Sequence, residues 1–306
     1  MKESHTTSLH PYMQFLILAA VVIGCMLLGT LIGVVIVLPI YGMQAINHMA
    51  TLDMAYPGVI NTLWIFQISS TTIPLFVAPV IFGRFIVREP EEYLKPAIKI
   101  SPLLFVLVFA VMLFSTPAMA WLVDMNQKMV FPHWLQGVYD WMKQHEDEAQ
   151  AETGTLLQMK TLSQMLFVLL VVGLLTAIAE EFLFRGCIQT IFTRWTKSTH
   201  WGIWIAAIIF SLIHMEFFGF VPRLMLGVFF GYFVAYSGSV WTGVWGHFIN
   251  NGSQVVLTYL FKQKMTTIDP DASHFNYAII SLSIISTAFL FVVYRNIAAS
   301  KKALPV

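Results

Sequence analysis

Charged side chains are scarce in this sequence. Only 11% of its 306 residues are Asp, Glu, Lys or Arg, whereas 58% are hydrophobic, and the mean hydropathy is +0.74. A soluble globule of this length could not cover its surface with so few polar groups. The composition therefore excludes a soluble domain and predicts a polytopic membrane protein. The net charge of +1 and the lack of any basic cluster also argue against a nucleic-acid partner.

Cysteine is rare as well. The two cysteines, Cys25 and Cys187, each lie inside a hydrophobic run, where a thiol behaves as a small apolar side chain, so a disulfide scaffold is excluded. No cleavable signal peptide is evident either. The first apolar stretch, 13–38, is far longer than the roughly 7 to 15 apolar residues of a signal peptide. We expect this stretch to remain as the first membrane span.

Long hydrophobic runs are abundant. Because a crossing needs about 20 predominantly apolar residues, we expect an all-α bundle of about eight transmembrane helices within a single membrane domain, 1–306. We divide this domain into N-terminal helices (1–161), core helices (162–260) and a last transmembrane helix (277–294). The predicted spans are 13–41, 58–83, 102–123, 162–192, 200–218, 220–236, 239–260 and 277–294.

The distribution of basic residues predicts the orientation of the bundle. With the N-terminus inside, six of the 17 Lys and Arg residues fall on the outer side and the rest on the cytoplasmic side, in line with the positive-inside rule. The outer six are Lys128, Lys143, Lys160, Arg223, Lys262 and Lys264. We expect an integral, multi-pass protein of the plasma membrane with both termini in the cytoplasm.

Two segments outside the spans have amphipathic character. Segment 88–101 mixes charged and apolar residues and is typical of an interfacial helix. Segment 126–160 carries apolar residues at helical spacing and then an acidic stretch that begins at Glu146. We interpret it as an amphipathic helix at the outer surface followed by a solvated loop.

Three charges interrupt the apolar run 162–192. Glu180 and Glu181 are adjacent, and Arg185 follows one helical turn later. Each charge at membrane depth costs about 2.5 to 3.5 kcal/mol on insertion scales. Because spanning a bilayer requires none of them, a functional site is the default explanation. The spacing of Glu181 and Arg185 predicts an intrahelical ion pair, which would leave Glu180 free to face the bundle interior.

Further polar residues occur at membrane depth in two later spans. The fifth span carries His214, and the seventh carries His247, Asn250 and Asn251. At about 1.5 Å per residue, Glu180 and His214 lie equally deep on either side of the turn that joins their helices. His247 and Asn251 share one helix face, whereas Asn250 points about 60° away and is the weaker candidate. We expect these helices to bring a carboxylate, two imidazoles and a carboxamide together.

These side chains are compatible with two kinds of hydrolytic chemistry. A buried carboxylate near imidazoles can act as a general base toward water, while donors from His247 and Asn251 stabilise an oxyanion. Alternatively, His214, His247 and Glu180 form a known type of zinc ligand set that leaves a position for water. The His-Glu-x-x-His motif of zinc proteases is absent. The residues leave open whether the protein has no cofactor or binds zinc.

The motifs resemble those of CAAX proteases and bacteriocin-processing enzymes, a family of intramembrane endopeptidases that includes the type II CAAX prenyl endopeptidases. The family's Glu-Glu-x-x-x-Arg occurs at 180–185, its Phe-x-x-x-His at 210–214 and its His-x-x-x-Asn at 247–251. The resemblance covers about 162–260. It implies that Glu180 and His214 activate water and that His247 and Asn251 support the oxyanion, with or without a metal.

The resemblance implies an endopeptidase that hydrolyses a peptide bond of a membrane-associated protein or peptide, with the lipid bilayer as its surroundings. Two alternatives use the same residues. Buried Glu and His also form the proton relays of coupled transporters, although the inverted repeats typical of such carriers are not evident in the sequence. A non-catalytic scaffold or bacteriocin-immunity protein of the same fold is the other alternative.

Overall fold

The computed structural model describes residues 9–267 and 276–302, and no strand occurs among them. The predicted position of the two termini lies outside these residues. Ten helices follow one another in the described chain, together with 3-10 turns at His133–Leu135 and Phe217–Gly219. The helices are α1 (Pro11–Ala50), α2 (Val59–Ile86), α3 (Pro90–Leu94), α4 (Pro102–Gln127), α5 (Gln136–Leu156), α6 (Leu162–Thr196), α7 (Thr199–Leu212), α8 (Phe220–Ser237), α9 (Val240–Lys262) and α10 (Tyr277–Lys302).

The predicted all-α membrane bundle is confirmed, and each predicted span corresponds to one helix. Six helices, α1, α2, α4, α6, α8 and α10, are long and apolar enough to cross a membrane. Helix α7 is apolar but has only 14 residues. Helix α9 has 23 residues, and its polar residues around His247 and Asn251 lower its hydropathy. The two helices outside this set are therefore α7, which is short and precedes His214, and α9, which carries His247 and Asn251.

The fifth predicted span ends earlier than expected. We expected a helix over 200–218, whereas α7 ends at Leu212 and His214 lies in the following turn. Met215 adopts a left-handed conformation with φ of 56°, which a right-handed helix cannot continue. His214 thus belongs to the connection between α7 and α8 rather than to a transmembrane helix.

The expected interfacial helix over 88–101 is largely wrong. Only α3 is helical there, and Lys95, with φ of 46°, ends it. The following residues run against the start of α9: the Val240 amide donates to the carbonyl of Lys95 at 3.0 Å, and the Trp241 indole donates to that of Pro96 at 3.2 Å. We call residues 88–101 the strap, because they bond to the bundle instead of lying as a helix on lipid.

The outer amphipathic helix predicted within 126–160 is confirmed as α5. The solvated loop expected after it is wrong in part, because the acidic stretch continues the helix to Leu156. Pairs at i and i+4 support this extension: Lys143 bonds to Asp147 at 2.7 Å, and Gln144 to Glu148 at 2.9 Å.

Helix α6 is the centre of the bundle and contacts α2, α7, α8 and α9. Its backbone is π-helical over Leu169–Leu175 and Phe182–Ile188, on both sides of the α-helical turn Thr176–Glu181. Single π-helical turns inside α-helices are frequent at functional sites. The two glutamates lie at the end of the α-helical turn between these segments.

Two glycines allow α8 to pack closely against its neighbours. A Cβ at Gly231 would lie 2.7 Å from Cγ2 of Ile203, and a Cβ at Gly227 would lie 3.0 Å from Cβ of Ala207. The carbonyls of the same glycines accept hydrogen bonds from α6, from Gln189 to Gly231 and from Arg185 to Gly227, both at 3.2 Å. The Gly-x-x-x-Gly spacing therefore brings backbone acceptors to polar side chains of α6.

Candidate active site

The ion pair expected between Glu181 and Arg185 is present and fully buried. Nη1 of Arg185 lies 2.7 Å from Oε1 of Glu181. The guanidinium also stacks over the ring of Phe210, with Cζ 4.5 Å from the ring centroid. A buried guanidinium needs partners of this kind, because an unpaired charge in a low-dielectric interior is strongly unfavourable.

His247 links α9 to both glutamates of α6. Its Nδ1 lies 2.9 Å from Oε1 of Glu181, and its Nε2 lies 3.7 Å from Oε2 of Glu180. The carboxylate of Glu181 only accepts, so Nδ1 carries a proton and donates it. Glu181 is therefore more than the partner of Arg185 expected from the sequence, since it also orients the imidazole.

Glu180 and Glu181 each have one buried oxygen, Oε2, without a hydrogen-bond partner among the described residues. The difference lies in Oε1 of Glu181, which accepts from Arg185 and His247, whereas the buried Glu180, 8% exposed, only faces His247. The separation of 3.7 Å from His247 is too long for a hydrogen bond. An unsatisfied buried carboxylate oxygen is unusual in a folded protein, and it leaves an acceptor open for a small polar molecule such as water.

His214 is half-buried at the end of α7. Its Nδ1 lies 2.7 Å from the carbonyl oxygen of Phe210. A carbonyl only accepts, so Nδ1 donates, and in the neutral ring Nε2 carries the free lone pair. The ring of Phe210 contacts both His214 and His247, at centroid distances of 4.9 and 5.9 Å.

Asn251 lies one turn beyond His247 and does not bond directly to the other three candidates. Its Nδ2 donates to the carbonyl of Val172 at 3.3 Å, and its Oδ1 accepts from Asn250 at 3.1 Å. One N–H of the carboxamide remains available. Asn250, the weaker candidate from helix phase, thus contacts the site through Asn251.

The motifs do not include Phe230, which packs directly on the site. Its ring stacks on His247 at a centroid distance of 5.1 Å and an interplanar angle of 16°, and it lies 5.3 Å from Cζ of Arg185. The sequence signal is weak, because Phe230 belongs to an aromatic-rich stretch that is typical of ordinary core packing. Its position beside Gly231, where α8 approaches α6, is the one indication that the ring could reach the site.

The predicted zinc set fits this geometry poorly. Nδ1 of His247 bonds to Glu181, which leaves Nε2 as the ring atom that could bind a metal. Across residues 9–267 and 276–302, however, no three His, Cys, Asp or Glu side chains are grouped as metal ligands.

The fold and the site define a class. The chain is an integral, multi-pass helical membrane protein. On its central helix α6, Glu180 and Glu181 face His247 of α9, and Asn251 of α9 bonds to Val172. Residues 162–253 match the family model described as type II CAAX prenyl endopeptidase Rce1-like, which implies a peptidase. The match covers less than a third of the chain, contains every candidate site residue and confirms the resemblance seen in the three motifs. Comparison with curated proteins and with solved structures finds no match.

Proposed function

We propose that this protein is an intramembrane endopeptidase in which Glu180 acts as the general base toward water. The observation that carries the proposal is the Glu180 carboxylate, which is buried, has an oxygen without a hydrogen-bond partner and faces Nε2 of His247 at 3.7 Å. Carboxylates and imidazoles with room for water are the groups that peptide hydrolysis requires. The family match over 162–253 supports the same activity.

In the proposed mechanism, a water molecule lies between the free oxygen of Glu180 and Nε2 of His214. Glu180 removes a proton from this water as the oxygen attacks the peptide carbonyl, and His214 accepts a hydrogen bond that orients the water. The resulting protonated Glu180 then gives its proton to the departing amine, which breaks the C–N bond. The carboxylate is regenerated at the end of the cycle.

The oxyanion of the tetrahedral intermediate needs donors. In this proposal a protonated Nε2 of His247 provides one, and the remaining N–H of Asn251 provides the other. The two side chains are one turn apart on α9, about 5 to 6 Å, so a carbonyl oxygen fits between them. Glu181 and Arg185 keep Nδ1 of His247 engaged and its ring fixed.

The substrate in this proposal is a membrane-associated protein or peptide, prenylated or not, because the proposed base lies on α6, a helix long and apolar enough to cross a membrane. The location we propose is the plasma membrane, with both termini in the cytoplasm. Since no step uses a metal ion, we expect cleavage to persist after exhaustive chelation. Loss of cleavage that added zinc restores would instead support the zinc alternative.

The test is a profile of the N-terminal and C-terminal peptides of membrane proteins in a host that lacks the protein. The host is complemented at equal expression with wild type, Glu180→Ala or the control Glu148→Ala, whose side chain is 59% exposed on α5. We expect new N- and C-termini with wild type and with the control but not with Glu180→Ala. Identical profiles for all three, with each variant folded and inserted, would contradict proteolysis and favour a transporter or a non-catalytic role.

A further inference from the structure

The connection that carries His214 is held in an unfavourable backbone conformation. Met215, the next residue, has φ of 56°, a region that is unfavourable for a non-glycine residue. Such a conformation persists only where the surroundings determine it. Residues 213–219, called here the His214 loop, therefore need contacts from neighbouring helices that fix their backbone.

Asn126, near the end of α4, bonds to the backbone at two points after this reversal, where the chain enters α8. Its Nδ2 donates to the carbonyl of Phe217 at 3.1 Å, and its Oδ1 accepts from the amide of Val221 at 2.7 Å. The residue is only 4% exposed. A buried carboxamide that satisfies one backbone acceptor and one backbone donor fixes the position of the segment between them.

Glu146 holds the same loop from α5. Its Oε2 accepts from the amide of Phe218 at 3.1 Å, and its Oε1 accepts from Nε2 of Gln150 at 2.9 Å. The residue is 2% exposed although it lies in the acidic outer stretch, where the sequence predicted solvation. A carboxylate is retained in a buried position only where it is well bonded, so this contact is specific.

Aromatic rings reinforce the contact between α5 and the His214 loop. Tyr139 packs edge-on against Phe218 at a centroid distance of 5.4 Å, and Trp141 lies 5.3 Å from Phe217. Apart from this turn, α5 contacts mainly the N-terminal part of α2. The outer helix α5 therefore packs mainly against the His214 loop and the start of α2.

We propose that Glu146 is a positioning residue that acts through the His214 loop, with Asn126 as its counterpart on α4. By fixing the backbone at Phe218 and Phe217, the two side chains hold His214 at the distance from Glu180 that the reaction needs. This role rests on the proposed function. It also gives the outer helix α5 a task in the chemistry of the buried site, although α5 contributes no group to it.

Glu146→Ala, Glu146→Gln and the control Glu148→Ala test the inference. Hydrogen–deuterium exchange of residues 213–221 in the full-length protein should rise in Glu146→Ala and stay near wild type in Glu146→Gln, whose amide oxygen can still accept from Phe218. The rate is measured on a peptide substrate that the membrane profiling has identified. Its kcat should fall by about tenfold to hundredfold in Glu146→Ala, because a small displacement of a positioned catalytic group reduces the rate by about this much. KM and Tm should change little, and Glu146→Gln should recover most of the rate.

The outcomes separate the two proposals. Unchanged exchange in Glu146→Ala overturns the inference, and so does increased exchange with an unchanged kcat. The inference is also overturned if Glu146→Ala lowers kcat and Tm together and Glu146→Gln restores neither. Such a result would indicate that Glu146 only stabilises the fold. Increased exchange in a protein whose wild type cleaves nothing would support the hold on the loop and contradict the proposed protease function.

Discussion

At the scale of single residues, the arrangement of the site depends on a buried carboxylate oxygen that bonds to two partners. One carboxylate, Glu181, serves the guanidinium of Arg185 at 2.7 Å and the imidazole of His247 at 2.9 Å through the same oxygen. Its neighbour Glu180 accepts neither of these bonds and faces Nε2 of His247 at 3.7 Å. Two adjacent and chemically identical residues thus have different partners in the bundle.

This sharing predicts a large effect of removing Arg185. Arg185→Met would leave the buried carboxylates with only His247 as a cation, and breaking a buried pair on one side typically costs about 3 to 5 kcal/mol. We expect a clear fall in the temperature of unfolding in detergent micelles. Arg84→Met, at an exposed position, is the control. Equal stability of both variants would mean that the buried pair contributes little.

At the scale of helices, local spacing predicted some contacts and not others. The i and i+4 rule indicated the Glu181–Arg185 pair, because both residues lie on one helix. The bond from His247 to Glu181 joins two helices, so it depends on their rotation and register, which a single sequence does not specify. The π-helical turns of α6 add a further change of phase, and ordinary helical periodicity gives no sign of them.

The ends of helices were also hard to predict. His214 was assigned to a span, yet the left-handed Met215 places it in a loop held by Asn126 and Glu146. The motif Phe-x-x-x-His still predicted a real contact, since His214 bonds to the carbonyl of Phe210 at 2.7 Å. Short-range chemistry was thus readable from the sequence, whereas the long-range support of the loop was not.

Helix packing makes a second prediction, at Gly231. A Cβ there would lie 2.7 Å from Ile203 and 2.9 Å from Oε1 of Gln189, so Gly231→Ala must push α8 away from its neighbours. We expect destabilisation of about 1 to 3 kcal/mol, as for other overpacked sites, measured by thermal unfolding in micelles. Gly24→Ala, where a Cβ meets no atom within 4 Å, is the matched control. Equal Tm values would contradict the close approach of α8.

At the scale of the whole molecule, the strap joins distant parts of the bundle. The hydroxyl of Tyr93 donates to Gln14 of α1 and accepts from Nη1 of Arg194 of α6 at 3.0 Å. Arg194 also pairs with Glu89 at 2.5 Å. The composition predicted the membrane class, but it gave no indication of this polar network, because the sequence of the strap is typical of a surface helix.

The strap also predicts a pH dependence. Burial lowers the pKa of Lys95 from 10.5 to about 8, against a smaller opposing effect of Glu92. Between about pH 8 and 10.5 the unfolded chain therefore binds more protons at this position than the folded protein does, and stability should rise with pH across this window.

Thermal unfolding in micelles from pH 7.5 to 10 measures this effect. The rise in stability attributable to Lys95 should disappear in Lys95→Met and remain in Lys99→Met, whose side chain is exposed on the same strap. Parallel curves for wild type and Lys95→Met would show that Lys95 does not titrate in this way.

The most direct test of the proposed function is a cleavage assay with the purified protein reconstituted in lipid vesicles. The substrate is a peptide whose cleavage site the profiling of membrane peptides has identified. Glu180→Gln preserves the shape of the side chain but removes the base, so we predict a loss of at least about a hundredfold in kcat. Glu148→Gln, on the exposed face of α5, should cleave at the wild-type rate. Cleavage by Glu180→Gln at the wild-type rate would contradict the assignment of Glu180 as the base.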